Sequence, residues 1–198
     1  MGYYIRVLSP ESNPAPLSPL NKAAQKYGAS VQGHSDALAW TELTITNAKQ
    51  QQVCDIERSE VSPGSLAEEE IGEFQTEIAD CFPKSAANWL LSYLKSVRTI
   101  YAFRILSGTY AETGWEILGA VKGAVWRSVG GIIQADNEGF SNEDGYHILW
   151  QFSDDVEGPW WMAILKDGRW ENFKMDLGNP THRAAFTAGK IPTGAERD

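Results

Sequence analysis

Tyr3-Tyr4-Ile5-Arg6-Val7-Leu8-Ser9 and Tyr101-Ala102-Phe103-Arg104-Ile105-Leu106-Ser107 agree in four of seven places, and each opens a run of elements that the other part of the chain parallels. Both segments alternate with the period of two that marks a half-buried strand. Tyr3, Ile5 and Val7, like Tyr101, Phe103 and Ile105, fall on one face, while Arg6 and Arg104 fall on the other. Helix signals follow in each case. In the first, Ser18 is an N-cap residue, Pro19 fits the first helical position, Leu17, Leu20, Ala24 and Tyr27 are spaced three or four apart, and Gly28 suits the left-handed C-terminal cap. In the second, Thr113 and Glu116 form a capping-box pattern, Leu118, Val121 and Val125 form the apolar stripe, and Gly130-Gly131 ends it. The second helix is longer by about two turns of roughly 3.6 residues, which leaves the same face turned inward.

Short apolar stretches with a matching glutamine come next, Ser30-Val31-Gln32 and Ile132-Ile133-Gln134. Trp40 to Thr46 pairs with Val53 to Arg58 across an Asn47-Ala48-Lys49 turn. Tyr146 to Phe152, Trp161 to Leu165 and Trp170 to Met175 read as strands, the last two joined at Lys166-Asp167-Gly168-Arg169. The expected fold class is α+β, with two β-α-β-β(-β) pseudo-repeats forming mainly antiparallel sheet and a two-helix insert between them. The expected organisation is a first half over 1–62, a helical insert over 63–97, a second half over 98–178 and an extended or mobile tail over 179–198. In the insert, Ser65 starts a helix with Ala67, Ile71, Phe74 and Ile78 as its apolar positions. Pro83 stops it, and Ser85 begins another with Trp89, Leu90, Tyr93, Leu94 and Val97.

At 198 residues with 42% hydrophobic content, the chain has enough apolar surface for a core. No apolar run reaches the length of a membrane span, and the amino terminus lacks a secretory pattern, so a cytoplasmic location is expected. Arg6 stands where a myristoylation signal needs Ser or Thr. Cys54 and Cys81 are far apart and read as reduced, structural thiols.

The net charge of −9 is concentrated. Residues 57–80 hold eight acids against Arg58 alone, and 136–157 hold seven against no Lys or Arg, so fifteen of 26 acids sit in two stretches. Phosphate-bearing partners need clustered Lys and Arg, which disfavours nucleic acid and anionic membrane. The expected partners are cationic: a basic protein first, a small cationic molecule second.

No cofactor, metal site or catalytic signature is read from the sequence. His34, His147 and His182 have no metal-ligand spacing, although His34 and His147 fall in corresponding regions of the two repeats, where two imidazoles and a carboxylate could hold a metal. Residues 136–145 look like a calcium loop but fail its spacing, since Phe140 occupies the fifth position. An acidic hairpin is the better account, with Asp136, Glu138, Glu143 and Asp144 as contact residues. Trp150, Trp160, Trp161 and Trp170 crowd beside Asp154, Asp155 and Glu157, and adjacent Trp160 and Trp161 must point to opposite faces of a strand. An aromatic ring beside carboxylates is a seat for Lys or Arg. Arg6 and Arg104 are expected to pair with acids of neighbouring strands rather than to share an anion.

These observations point to a non-enzymatic acidic binding protein of the immunity type, which neutralises a basic toxin or another cationic protein. The alternative is a small-molecule sensor with a cleft between the repeats, and a dispersed catalytic site comes third.

Overall fold

A computed structural model describes residues 2–33 and 39–198. His34 lies outside the described residues, so its relation to His147 does too. Among them the chain forms five helices and ten strands in mainly antiparallel sheets, an α+β fold. It divides into two units, one made of residues 1–68 and 97–132, the other of 69–96 and 133–198.

In unit 1 the strands β1 (Tyr4–Ser9), β2 (Ser30–Gly33), β3 (Glu42–Thr46), β4 (Gln52–Glu60) and β5 (Thr99–Ile105) lie in the order β2-β3-β4-β5-β1, each antiparallel to its neighbour. The two related heptapeptides are therefore adjacent, and their third residues, Ile5 and Phe103, stand opposite each other. The duplication itself rests on the sequence identity. Residues directly opposite in an antiparallel ladder share a face. One face carries Ile5, Val7, Leu43, Ile45, Cys54, Ile56, Tyr101, Phe103 and Ile105, all buried. The helices α1 (Leu17–Gln25) and α4 (Gly114–Val129) bury Leu20, Ala24, Ile117, Leu118, Val121 and Val125. The other face presents Glu42, Thr44, Asp55, Glu57, Ala102 and Arg104, none of them buried.

Buried side chains hold the proline-rich connection between β1 and α1. Trp40 Nε1 donates to the Ala15 carbonyl at 2.8 Å, the Ala15 N–H donates to the Tyr101 hydroxyl at 3.1 Å, and Thr99 Oγ1 donates to the Glu11 carbonyl at 2.8 Å. Arg58, 8% exposed, donates to the Ser12 carbonyl and to Glu60. Backbone groups that β-pairing leaves unmatched are thus satisfied by side chains.

Two helix starts differ from the expected ones. The first helix begins at Leu17 with Pro16 as its cap residue rather than Ser18. The Thr113–Glu116 capping box does not form: Thr113 is left-handed, with φ of 62°, and its side chain caps nothing. The cause lies in the preceding turn, Ser107–Tyr110. Thr109 Oγ1 anchors this turn to the Val53 carbonyl, and Gly114 is pressed so close beneath it that a Cβ there would stand 2.3 Å from the Thr109 oxygen. The chain has to reverse at Thr113 to place Gly114 there.

Unit 2 contains most of α2 (Leu66–Ile78), all of α3 (Lys84–Leu94), most of β6 (Ile132–Ala135) with its hairpin partner β7 (Gly139–Phe140), and a sheet of β8 (Pro159–Lys166), β9 (Arg169–Asp176) and β10 (Glu196–Arg197) in the order β10-β9-β8. The β8–β9 turn, Asp167-Gly168, has positive φ at both residues, as the twist of a two-residue hairpin requires. Its core gathers Phe152, Met162, Ile164, Phe173, Met175, Leu177 and Phe186, with Trp150 and Trp160 packed against it.

Two expectations are corrected in this unit. Residues 146–152 form no strand; His147 makes only isolated bridges, and the Trp150 N–H donates to the Phe82 carbonyl at 2.9 Å. Residues 179–198 are not simply extended. Asn179 Oδ1 caps α5 (Pro180–Thr187) by accepting from the N–H groups of Thr181 and His182, and the fully buried Phe186 anchors it.

The glycines give a stability test. A Cβ at Gly108 would lie 2.4 Å from the Gln52 carbonyl oxygen, whereas one at Gly72, inside α2, would meet nothing. Gly108→Ala is expected to cost about 2 to 3 kcal/mol or more in urea unfolding, and Gly72→Ala to add about 0.5 to 1 kcal/mol.

Candidate partner-binding surface

The strand β8 separates the two adjacent tryptophans as its alternation requires. Trp160 turns to the core of unit 2, edge-on to His147 at 4.8 Å and to Phe152 at 5.0 Å. Trp161 turns outward, 36% exposed, with Tyr146 edge-on at 5.9 Å. Trp170 sits edge-on to Trp89 at 5.0 Å, and Trp89 stacks on Tyr93 at 5.1 Å. Trp150 packs against Phe152 and Phe186.

Cations of the chain itself cover two of these rings. The Lys174 ammonium lies 5.6 Å from the Trp161 centroid, and the Arg183 guanidinium 5.0 Å from that of Trp150. Two rings expected to seat a partner's cation are thus already covered. Arg183 also gathers the acidic loop beside it. Its Nε donates to the Leu177 carbonyl, Nη1 to the Asp154 carbonyl at 2.9 Å and Nη2 to the Val156 carbonyl at 2.7 Å. A planar guanidinium suits this task, because several N–H groups diverge from one rigid fork. The loop's own side chains, Asp154, Asp155 and Glu157, all point into solvent. The Ser153 hydroxyl and its own backbone N–H hold the Asp155 carboxyl below the ordinary range, so it is fully charged near neutrality.

The acidic hairpin divides. Asp136 and Glu138 are half-buried in the β6–β7 turn, each already engaged by a neighbour, and Glu143 and Asp144 are exposed. Asn142 shapes that second turn, its Oδ1 accepting from the N–H groups of Asp144 and Tyr146. On α2 the buried positions Ala67, Ile71, Phe74 and Ile78 face inward, and Glu69, Glu73 and Glu77 form an exposed ridge. Glu77 is tied to the neighbouring segment by the Gln151 side-chain N–H at 3.1 Å. No ion pair among the described residues engages Glu69, Glu73, Asp154 or Glu157.

Unit 1 offers a polar hollow of about 310 Å³ on its open sheet face, lined by Tyr4, Glu42, Thr44, Asp55, Glu57 and Arg104. Arg104 is bonded to Asp55 on the adjacent strand, the pairing expected for it. A groove of about 980 Å³ also runs along α1 and α4. Cys54 and Cys81 are free, and burial pushes both thiols up and away from reactivity. Among the described residues no three His, Cys, Asp or Glu side chains come together as a metal site, and no helix is long and apolar enough to cross a membrane.

The sequence reading missed Arg183, which lies in the segment expected to be an extended or mobile tail, and the exposed pair Tyr110 and Trp115 in unit 1. Only the alternation at Trp160-Trp161 was a usable signal of exposure. Arg183→Ala is expected to cost about 2 to 3 kcal/mol and to speed amide exchange over 153–158, and Arg183→Lys, which keeps the charge but not the fork, to recover little of it. A second test concerns Tyr93, whose hydroxyl is buried without a partner and whose pKa is pushed up to about 12, first by burial and then by the charge of Glu143. A phenol raised in the folded state stabilises below its unfolded value and loses that contribution as pH climbs toward the folded one. Stability is therefore expected to fall between about pH 10 and 12, and Tyr93→Phe to flatten that slope in pH-dependent unfolding. No protein-family model, curated protein or solved structure matches the chain.

Proposed function

We propose that the chain is a non-catalytic binding protein for a basic protein partner, of the type of small immunity proteins that neutralise secreted nuclease toxins. The observation that carries this reading is the segregation of charge. Unit 1 holds nine Asp and Glu and nine Lys and Arg, whereas unit 2 holds seventeen against eight, so the whole net charge of −9 belongs to unit 2. Carboxylates held within about 10 Å of one another, roughly a Debye length in 0.1 M salt, add into one field. Such a field steers oppositely charged proteins and raises their association rate.

Local geometry supports the same reading. Arg183 gives the 154–157 loop a fixed backbone and leaves its carboxylates outward, and the Glu69–Glu73–Glu77 ridge stands on a helix whose other face is buried. Charges presented on fixed elements lose less entropy on binding than charges on mobile ones. The immunity type is an analogy of size and charge.

The test is protection. Cells producing the protein and challenged with a panel of basic secreted nuclease toxins are expected to survive one of them, and survival of none would overturn the immunity reading. With the protecting pair in hand, raising salt from about 50 to 300 mM is expected to slow association roughly tenfold or more. Reversing Asp154, Asp155 and Glu157 to Lys is expected to slow it further with the fold unchanged. Association indifferent to both would remove the electrostatic basis of the proposal.

A further inference from the structure

Five exposed or half-exposed aromatic rings among the described residues are covered by the chain's own cations. Among the described residues four aromatic side chains are strongly exposed: Phe82 at 44%, Tyr110 at 71%, Trp115 at 48% and Trp161 at 36%. Lys84 lies 4.7 Å from the Phe82 centroid and Lys174 5.6 Å from that of Trp161. The less exposed Tyr4, Tyr27 and Trp150 carry Arg6, Lys26 and Arg183 in the same way. Tyr110 and Trp115 are the two strongly exposed rings left uncovered. They meet each other edge to face at 5.8 Å, and no cation of the described chain covers either ring.

The adjoining sequence carries only negative charge. Between Arg104 and Lys122 the sequence contains no Lys or Arg, and its two charged residues are Glu112 and Glu116. Both carboxylates are exposed, and neither enters an ion pair among the described residues, although Glu116 also borders the groove that Lys22, Lys26 and Arg127 line.

The backbone that displays the pair is locked. Gly108 lies against the Gln52 carbonyl, the fully buried Thr109 donates its hydroxyl to Val53, Gly114 is wedged under the Thr109 carbonyl, and Thr113 is held left-handed between the two aromatics. A non-glycine residue in that region costs on the order of 1 kcal/mol or more, and such strain persists only where the surroundings impose it. Two large, uncovered rings on a fixed backbone match the composition and preorganisation of interface anchors.

We propose that the Tyr110–Trp115 pair, flanked by Glu112 and Glu116, is a seat for an arginine side chain of a protein partner. The planar guanidinium stacks on one ring face and donates to a flanking carboxylate, which an ammonium does less well. This surface is built from residues of the electrically neutral unit 1 and includes none of the unit 2 acids on which the proposed function rests, so it stands or falls independently of that reading.

The test uses octa-arginine and octa-lysine peptides as probes and protein labelled with 5-fluorotryptophan, its Trp115 resonance assigned through Trp115→Phe. The Trp115 resonance is expected to shift saturably with octa-arginine and at least about threefold more weakly in affinity with octa-lysine. Tyr110→Ala, or the double change Glu112→Gln and Glu116→Gln, is expected to weaken octa-arginine binding at that resonance about fivefold. Both positions are exposed, and an unchanged melting temperature checks that the fold is kept. Binding at Trp115 is expected to persist when Asp154, Asp155 and Glu157 are reversed, which separates this seat from the acidic surface of unit 2. A Trp115 resonance that stays put while the peptide binds elsewhere, or an affinity indifferent to these substitutions, overturns the assignment.

Discussion

Positive charge is the scarce component of this chain, with 17 Lys and Arg against 26 Asp and Glu, and its placement governs what the surface can do. Several cations serve the chain's own structure. Arg183 joins two carbonyls of the 154–157 loop and the Leu177 carbonyl under one guanidinium, Arg58 fastens the β1–α1 connection, Arg104 answers Asp55, and Lys174 and Lys84 cover rings. The carboxylates of Glu69, Glu73, Asp154 and Glu157 have no ionic partner among the described residues. Their mutual repulsion opposes compaction of unit 2, and the aromatic core around Phe152, Phe173 and Phe186 has to outweigh it. The loop that concentrates three of the acids is held by its backbone through Arg183, so its carboxylates stay exposed to an outside charge.

Much of the sheet was legible because strands and turns announce themselves locally. The alternation in Tyr3–Ser9 and Tyr101–Ser107, the Asn47 turn and the Asp167-Gly168 hairpin each have one physical solution, and β1, β5, β3, β4, β8 and β9 follow. Residues 146–152 misled for a reason rooted in the same rule. Ile148, Leu149 and Phe152 are buried, but their segment reaches the core as irregular chain whose N–H groups find carbonyls of Phe82, Phe140 and Trp161 one at a time. Apolar spacing reports burial and does not by itself report a ladder. The last helix carried a legible signal, Asn179 followed by Pro180, which low aliphatic content obscured. Thr113 shows the opposite limit: its capping pattern is sound locally and loses to the close packing of Gly114 on the preceding turn.

For the candidate surface, the two acidic runs were visible, and the joining of residues 69–80 of the first with the whole of the second in the unit that carries the entire net charge was not, because it depends on which distant segments fold together. The tryptophans present the same difficulty. Whether a ring is covered depends on a cation elsewhere in the chain, as Lys174 is for Trp161 and Arg183 for Trp150. Composition pointed to the cluster around Trp150–Trp170, where the rings are packed or covered, and passed over Tyr110 and Trp115, where they are not.

The two kinds of surface differ in what they contribute to a complex. A field from many carboxylates acts over about a Debye length, is weakened by salt, and mainly sets how often a basic partner arrives. An aromatic seat acts only on contact, depends more on exclusion of water than on ionic strength, and mainly sets how long the partner stays. A protein with only the first would attract many basic proteins and retain few of them. The rigid, uncovered Tyr110–Trp115 pair supplies a short-range, orientation-dependent contact of the second kind, and discrimination among basic partners requires one.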